Sequence, residues 1–262
     1  MKPDLPPQAS PFAAPPAFTL SRRQFITASA LAGGSLMLKS RADAAEAKHA
    51  IAADTSKALI AITLDMEMSR NFPVWEDTHW DYEKGVLNEE TKRYCVEAAR
   101  RVKARGGMVH FFCVGRVLEQ ENVDWLKELV REGHPIGKHT YDHVYVLAQK
   151  PDDIQFRFKR AFYPTGLIDV PMSPISDVAA FRGARWKLDS FLKAIRLGVE
   201  WAIETHGVFD LLSHPSVLYP MDPEFKTVEL VCDLVKKAGQ RAALVDLDSI
   251  ALRTKLSKGR TP

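Results

Sequence analysis

The sequence predicts an α/β fold, a parallel sheet joined by crossover helices and either open or closed into a barrel. Three observations predict it. From residue 58 onward, apolar runs of strand length alternate with amphipathic stretches of helix length. Two of the helical stretches, Asn88–Arg105 and Asn122–Glu132, stop at a glycine. No internal repeat and no domain-scale linker interrupts the alternation after residue 57. At 262 residues, 46% hydrophobic and 26% charged, the chain suits one large domain or at most two small ones. That composition excludes a disordered, collagenous or polytopic membrane chain.

Taken in order, Ala58–Leu64 is a short apolar run and reads as a strand. Asn88–Arg105 is charged and amphipathic, closed by Gly106-Gly107, and reads as a helix. Met108–Val114 is β-branched and aromatic, a buried strand. Asn122–Glu132 carries an N-cap candidate in Asn122, an apolar stripe of Val123, Leu126, Leu129 and Val130, and a stop at Gly133. Pro135–Lys138 follows as a short strand. Pro151–Phe162 reads as a helix and Gly166–Met172 as a strand. Trp186–Thr205 is a long helix with Leu188, Phe191, Leu192, Ile195 and Val199 inward. Val208–Ser213, Pro223–Ala238 and Ala242–Leu247 complete the series as strand, helix and strand.

Ahead of this body lies a stretch of another kind. The first twenty residues are rich in Pro and Ala, without apolar periodicity. Then come Ser21-Arg22-Arg23-Gln24-Phe25-Ile26, an apolar run to Leu38, and the small residues of Ala42-Asp43-Ala44. A positive region, a short apolar core and a small-x-small site make the layout of a cleavable export signal. The paired arginines before Phe25 are of the twin-arginine type, which carries proteins already folded. Residues 1–44 are therefore expected to be a signal peptide cut after Ala44, with Ala47 as second candidate. A short linker is expected at 45–57, the folded domain at 58–250 and a tail at 251–262. The expected partner is the twin-arginine export machinery and the expected location periplasmic or extracellular, with no transmembrane span in the mature chain.

The net charge of +3 belongs to that leader, because residues 45–262 hold 31 basic and 31 acidic side chains. No polyanion-binding surface follows, so nucleic acid is not an expected partner. The three cysteines, Cys95, Cys113 and Cys232, are too few and scattered for a disulfide framework or a thiolate zinc site.

In parallel α/β folds functional groups gather where strands end. Three such ends carry polar groups that an apolar core cannot use. At Thr63-Leu64-Asp65-Met66-Glu67, strand alternation turns Asp65 and Glu67 to one side. Two such carboxylates repel unless a cation or proton lies between them; equally, one could cap a helix or meet Arg70. At Gly133-His134-Pro135-Ile136-Gly137-Lys138-His139-Thr140-Tyr141-Asp142-His143, one helical turn would bring His139 and His143 to one face, a spacing suited to zinc. His134 reads as structural. At Asp210-Leu211-Leu212-Ser213-His214, a histidine ends an apolar strand. Between residues 72 and 82, Trp75, Trp80 and Tyr82 stand among polar residues, suited to stacking on sugar rings or to covering the core.

The order of carboxylate pair, His-x-x-x-His and late Leu-x-His resembles the polysaccharide deacetylases, the fourth family of carbohydrate esterases with the NodB-homology domain. The resemblance spans roughly residues 58–250. Its most specific part is His139-Thr140-Tyr141-Asp142-His143, preceded by Gly133-His134-Pro135-Ile136-Gly137. The first motif departs from the family's Thr-Phe-Asp-Asp-Gly, with Met66 in the second Asp place and Glu67 one later. The resemblance implies an irregular (β/α) barrel of the polysaccharide deacetylase type and hydrolysis of N-acetyl groups on a glycan, peptidoglycan or chitin-like. It implies one divalent metal, zinc first, held by Glu67, His139 and His143. Asp65 takes the place of general base and His214 of general acid. Trp75, Trp80 and Arg182 are the implied substrate-side residues. The family's third motif, an arginine near proline and glycine, is missing. Its nearest match is Phe181-Arg182-Gly183, and the 71 residues from His143 to His214 hold only about two strand-helix units. An internal segment is therefore expected to be absent, near Arg160-Ala161-Phe162-Tyr163, where a charged helix runs abruptly into Pro164-Thr165-Gly166, and the barrel to be incomplete. The alternatives are a degenerate glycan-binding relative and a hydrolase of small cyclic amides on the same fold.

Overall fold

The computed structural model describes residues 43–67, 85, 87–139, 168, 170 and 172–258. It divides into two compact units, residues 1–47 and 48–262. Of the first, only 43–47 are described, helical and exposed.

The second unit is built on five parallel strands: β1 (Ala58–Met66), β2 (Val109–Cys113), β3 (Ile136–Lys138), β4 (Val208–Ser213) and β5 (Ala242–Leu244). Their order is β3-β2-β1-β4, with β5 also on β1. Leu59 pairs with Val208 on one edge and Ala243 on the other, and Ile62 with Leu211 and Val109. One edge of β1 thus carries β4, while β5 and β2 share the other end to end. Every residue of β1 is buried, as a central strand covered on both faces requires. Ala58, Ile60, Ile62, Leu64 and Met66 enter the main core. Leu59 and Ala61 pack with Val245 and Ile250 on the opposite face. Alternation continues that second face through Thr63 and Asp65 to Glu67.

Around the sheet lie α1 (Glu89–Ala104), α2 (Asp124–Arg131), a π-helical turn (Val178–Gly183), α3 (Leu188–Thr205), α4 (Pro215–Met221), α5 (Lys226–Ala238) and α6 (Leu247–Lys258). Helix α1 starts where the Asn88 side chain accepts the Thr91 N–H at 2.8 Å. Glu89 and Glu90 in its first turn and Arg101 and Lys103 in its last complement the helix dipole. Helix α3 buries Phe191, Ile195 and Val199, with Leu188 and Leu192 half-buried. It approaches β4 so closely at Gly198 that a Cβ there would lie 2.4 Å from the Phe209 ring.

Several boundaries differ from the sequence expectation. Asn122 does not cap α2; its side chain accepts the Asp124 N–H in a local turn, and the helix begins at Asp124. The last strand stops at Leu244, because Asp246 accepts the Ser249 N–H and α6 starts at Leu247. Helix α6 runs through most of the stretch read as a tail, and residues 48–53, read as linker, are helical. Helix α5 begins at Lys226, three residues later than expected. The expected helix Pro151–Phe162 lies outside the described residues, as does most of Gly166–Met172. Of that stretch, 168, 170 and 172 are described, and none is in a strand.

On the outer edge of β4, one backbone bond and two side chains attach a further segment that forms no ladder. Ser173 donates its N–H to the Asp210 carbonyl, and its Oγ accepts the Asp210 N–H, each at 3.0 Å. Four residues on, Asp177 accepts the His214 N–H at 2.6 Å. The segment 172–177 is thus stitched to the outer edge of β4 at two points. Among the described residues no helix is long and apolar enough to cross a membrane.

Candidate metal and hydrolytic site

The C-terminal ends of β1, β3 and β4 converge on one cluster. Asp65 and Glu67 leave the end of β1 on one side, 7% and 4% exposed, with Met66 turned into the main core. His139 follows β3 directly, its backbone N–H donated to the Cys113 carbonyl at 3.0 Å, which anchors the main chain there. Its Nε2 lies 3.0 Å from Glu67 Oε2 and 3.6 Å from Asp65 Oδ2. His214 arrives from β4 on the other side, Nε2 3.4 Å from Glu67 Oε1 and 3.9 Å from Asp65 Oδ2. Two carboxylates thus lie between two imidazoles.

Burial pushes the Asp65 carboxyl above its usual range, although both imidazoles draw it back. Phe112 is its register partner on β2, and the Phe112 ring stacks on His110 at 4.9 Å. The hydrogen bond to Glu67 raises His139. Burial alone would lower His214, but the carboxylates of Asp177 and Glu67 outweigh it and hold the imidazole well above its ordinary value.

These residues fit a divalent cation. Ligand atoms of Asp65, Glu67 and His139 all lie within 4.8 Å of one another. Asp65 Oδ1 is buried without a hydrogen-bond partner, a costly arrangement for a carboxylate unless a cation takes it up. Carboxylate oxygen and imidazole nitrogen form a donor set suited to zinc, cobalt, nickel or iron. Distance alone groups Asp65 with the ligands as closely as Glu67.

Sequence reasoning missed Asp177. Its side chain is fully buried; Oδ1 lies 2.9 Å from His214 Nδ1 and accepts the Val178 N–H at 2.8 Å, while Oδ2 accepts the His214 N–H. With Nδ1–H directed at a carboxylate, Nε2 is left facing the carboxylate pair. In the sequence Asp177 looks like any residue opening a helical turn, and its partner lies 37 positions away. Arg182 is buried on the π-helical turn that Asp177 opens, a form of helix frequent at functional sites. His134 is structural: its Nδ1 accepts the Val109 N–H at 3.1 Å. His143, Trp75 and Trp80 lie outside the described residues, as do Thr140 and Asp142.

Residues 53–162 match the family model described as polysaccharide deacetylase. The match ends at the junction where the sequence turns abruptly into Pro164-Thr165-Gly166. No curated protein matches the chain. Among solved structures, it is similar to a probable polysaccharide deacetylase from Pseudomonas aeruginosa PAO1 at 10% identity and a TM-score of 0.58, covering 78% of this chain and 92% of that one. A putative polysaccharide deacetylase from Mycobacterium smegmatis is similar at 12% identity and a TM-score of 0.52, with 78% and 92% covered. Puue allantoinase is similar at 11% identity and a TM-score of 0.58, with 79% and 93% covered. These likenesses establish the shared α/β fold.

Proposed function

We propose that this chain, whose residues 53–162 match the polysaccharide deacetylase family model, is an exported, metal-dependent hydrolase of carbon–nitrogen bonds that removes N-acetyl groups from a glycan, peptidoglycan or chitin-like. The observation that carries this reading is the buried Asp65–Glu67 pair at one strand end, faced by His139 on one side and the His214–Asp177 pair on the other.

Glu67 and His139, with His143 by the sequence motif, would hold the divalent metal, zinc first. When bound, such a metal polarises an amide carbonyl and makes water a stronger acid. Asp65, its carboxyl made more basic by burial, takes the proton from the attacking water. His214 delivers a proton from Nε2 to the leaving amine, and Asp177 holds its ring in that orientation. The test is acetate release from N-acetylglucosamine oligomers by the wild type and Asp65→Asn. Release lost in Asp65→Asn supports the reading; unchanged release in that variant overturns the role of Asp65.

The allantoinase likeness in fold favours one second reading, hydrolysis of a small cyclic amide at the same residues. A panel of ureides beside the acetylated sugars separates the two. Turnover of neither, with metal retained, would identify a degenerate glycan-binding relative.

A further inference from the structure

Helix α3 carries an exposed apolar pair on the side away from the core. Its buried residues are Phe191, Ile195, Val199, Ala202 and Ile203. At about 100° per residue, Lys193, Leu197, Glu200, Trp201 and Glu204 fall on the opposite side. Leu197 is 58% exposed and Trp201 61%. They stand one turn apart and so form a single patch, unlike the scattered hydrophobic residues of an ordinary surface. The charges flanking this patch are sorted by sign along the helix. Lys193 and Arg196 come before its midpoint, Glu200 and Glu204 after it. Arg196 and Glu200 approach each other loosely, at 3.8 Å. Asp189, in the first turn, complements the helix dipole.

We propose that this face of α3 docks the same face of a second copy of the chain, the two helices antiparallel about a twofold axis. A twofold contact must be self-complementary, because whatever one residue meets on the other copy meets it in return. Run antiparallel and centred between Leu197 and Trp201, the face satisfies that condition. Leu197 of one copy meets Trp201 of the other, Lys193 meets Glu204, and Arg196 meets Glu200. Asp189 then falls beyond the end of the facing helix. A parallel arrangement would instead set each charge against its own kind. Other occupants match only half of the face: a basic partner suits the Glu200–Glu204 end, and an anionic membrane is repelled by it. An apolar centre within a charged rim is the usual anatomy of a protein contact. One helix against one helix falls below the standard interface of about 1,600 Å², so the association is weak and concentration-dependent.

The test is sedimentation velocity of the full chain from about 1 to about 100 μM, the range in which so small an interface associates. The wild type should shift from monomer toward dimer as concentration rises. Trp201→Ala should raise the dissociation constant by at least about tenfold, as loss of a central aromatic anchor does. Lys193→Glu and Glu204→Lys each set like charges opposite one another, and each should weaken association by about tenfold or more. Mixed in equal amounts, these two variants should associate again, since each then faces the opposite charge. All three positions are exposed, and far-ultraviolet circular dichroism checks that the helix is kept. A chain monomeric throughout the range overturns the proposal. Dimers indifferent to both reversals, or a mixture that fails to associate, overturn it as well. None of these readouts uses activity, so each outcome leaves the proposed function standing.

Discussion

Asp210 shows how far burial moves a single carboxyl. It lies 3% exposed in the middle of β4, with the Thr63 hydroxyl donating to it at 3.0 Å. Burial pushes its pKa up to about 7, from 3.8. The native state therefore keeps a proton between those values that the unfolded chain has released, and stability falls as pH rises through the window. Asp210→Asn should be neutral near pH 4 and stabilising by roughly 1–4 kcal/mol above pH 7, read as the urea midpoint at the two pH values. A variant no more stable at pH 8 than the wild type would contradict this. Asp177 predicts the opposite outcome. Asp177→Asn removes the charge behind His214 but keeps the size, and should lower kcat by about a hundredfold with metal content unchanged, the usual scale for a group that orients a proton carrier. Metal analysis beside steady-state kinetics checks both halves; loss of metal would place Asp177 in a purely structural role.

Elements were legible in proportion to their periodicity. Helix α1 announces itself by Asn88, its acidic first turn and Gly106; β1 and β4 by short, mostly apolar runs. Asp65 and Glu67 were readable because strand alternation is rigid, so spacing alone puts both on one face. Helix α6 was not readable, because Leu247, Ile250, Leu252 and Leu256 are spread around it instead of along one stripe. The π-helical turn and Asp177 lack any local pattern, since what defines them is a contact with a strand far along the chain. Nor does the sequence reveal how tightly α3 lies on β4. Gly198 records that approach, and Gly198→Ala should destabilise the protein by about 1–3 kcal/mol, the range for overpacking a close contact. Thermal unfolding measures it; a change under about 0.5 kcal/mol would mean that Phe209 moves aside freely.

At the scale of the whole molecule, charge and metal set the outward behaviour. With 31 acidic and 31 basic residues in 45–262, attraction to a neutral acetylated oligosaccharide should vary little with salt, and KM between low and moderate ionic strength should stay within about twofold. A steep salt dependence would point to a charged polymer. Metal binding couples the site to global stability: a metal at a hundred times its dissociation constant adds about 2.7 kcal/mol, or roughly 5–10 °C in Tm for a domain of this size. His139→Ala should erase that rise in calorimetry. The stitching of residues 172–177 to β4 has a consequence for how such a chain can evolve. A hydrogen-bonded ladder fixes register through each successive residue, so a lost or gained residue in the approach propagates along it. Here two residues set the register, Ser173 through its backbone N–H and hydroxyl and Asp177 through its carboxylate. A residue gained or lost between Ser173 and Asp177 would therefore detach one of these two anchors from β4. Insertion scanning should find a single added residue between those two positions to be poorly tolerated.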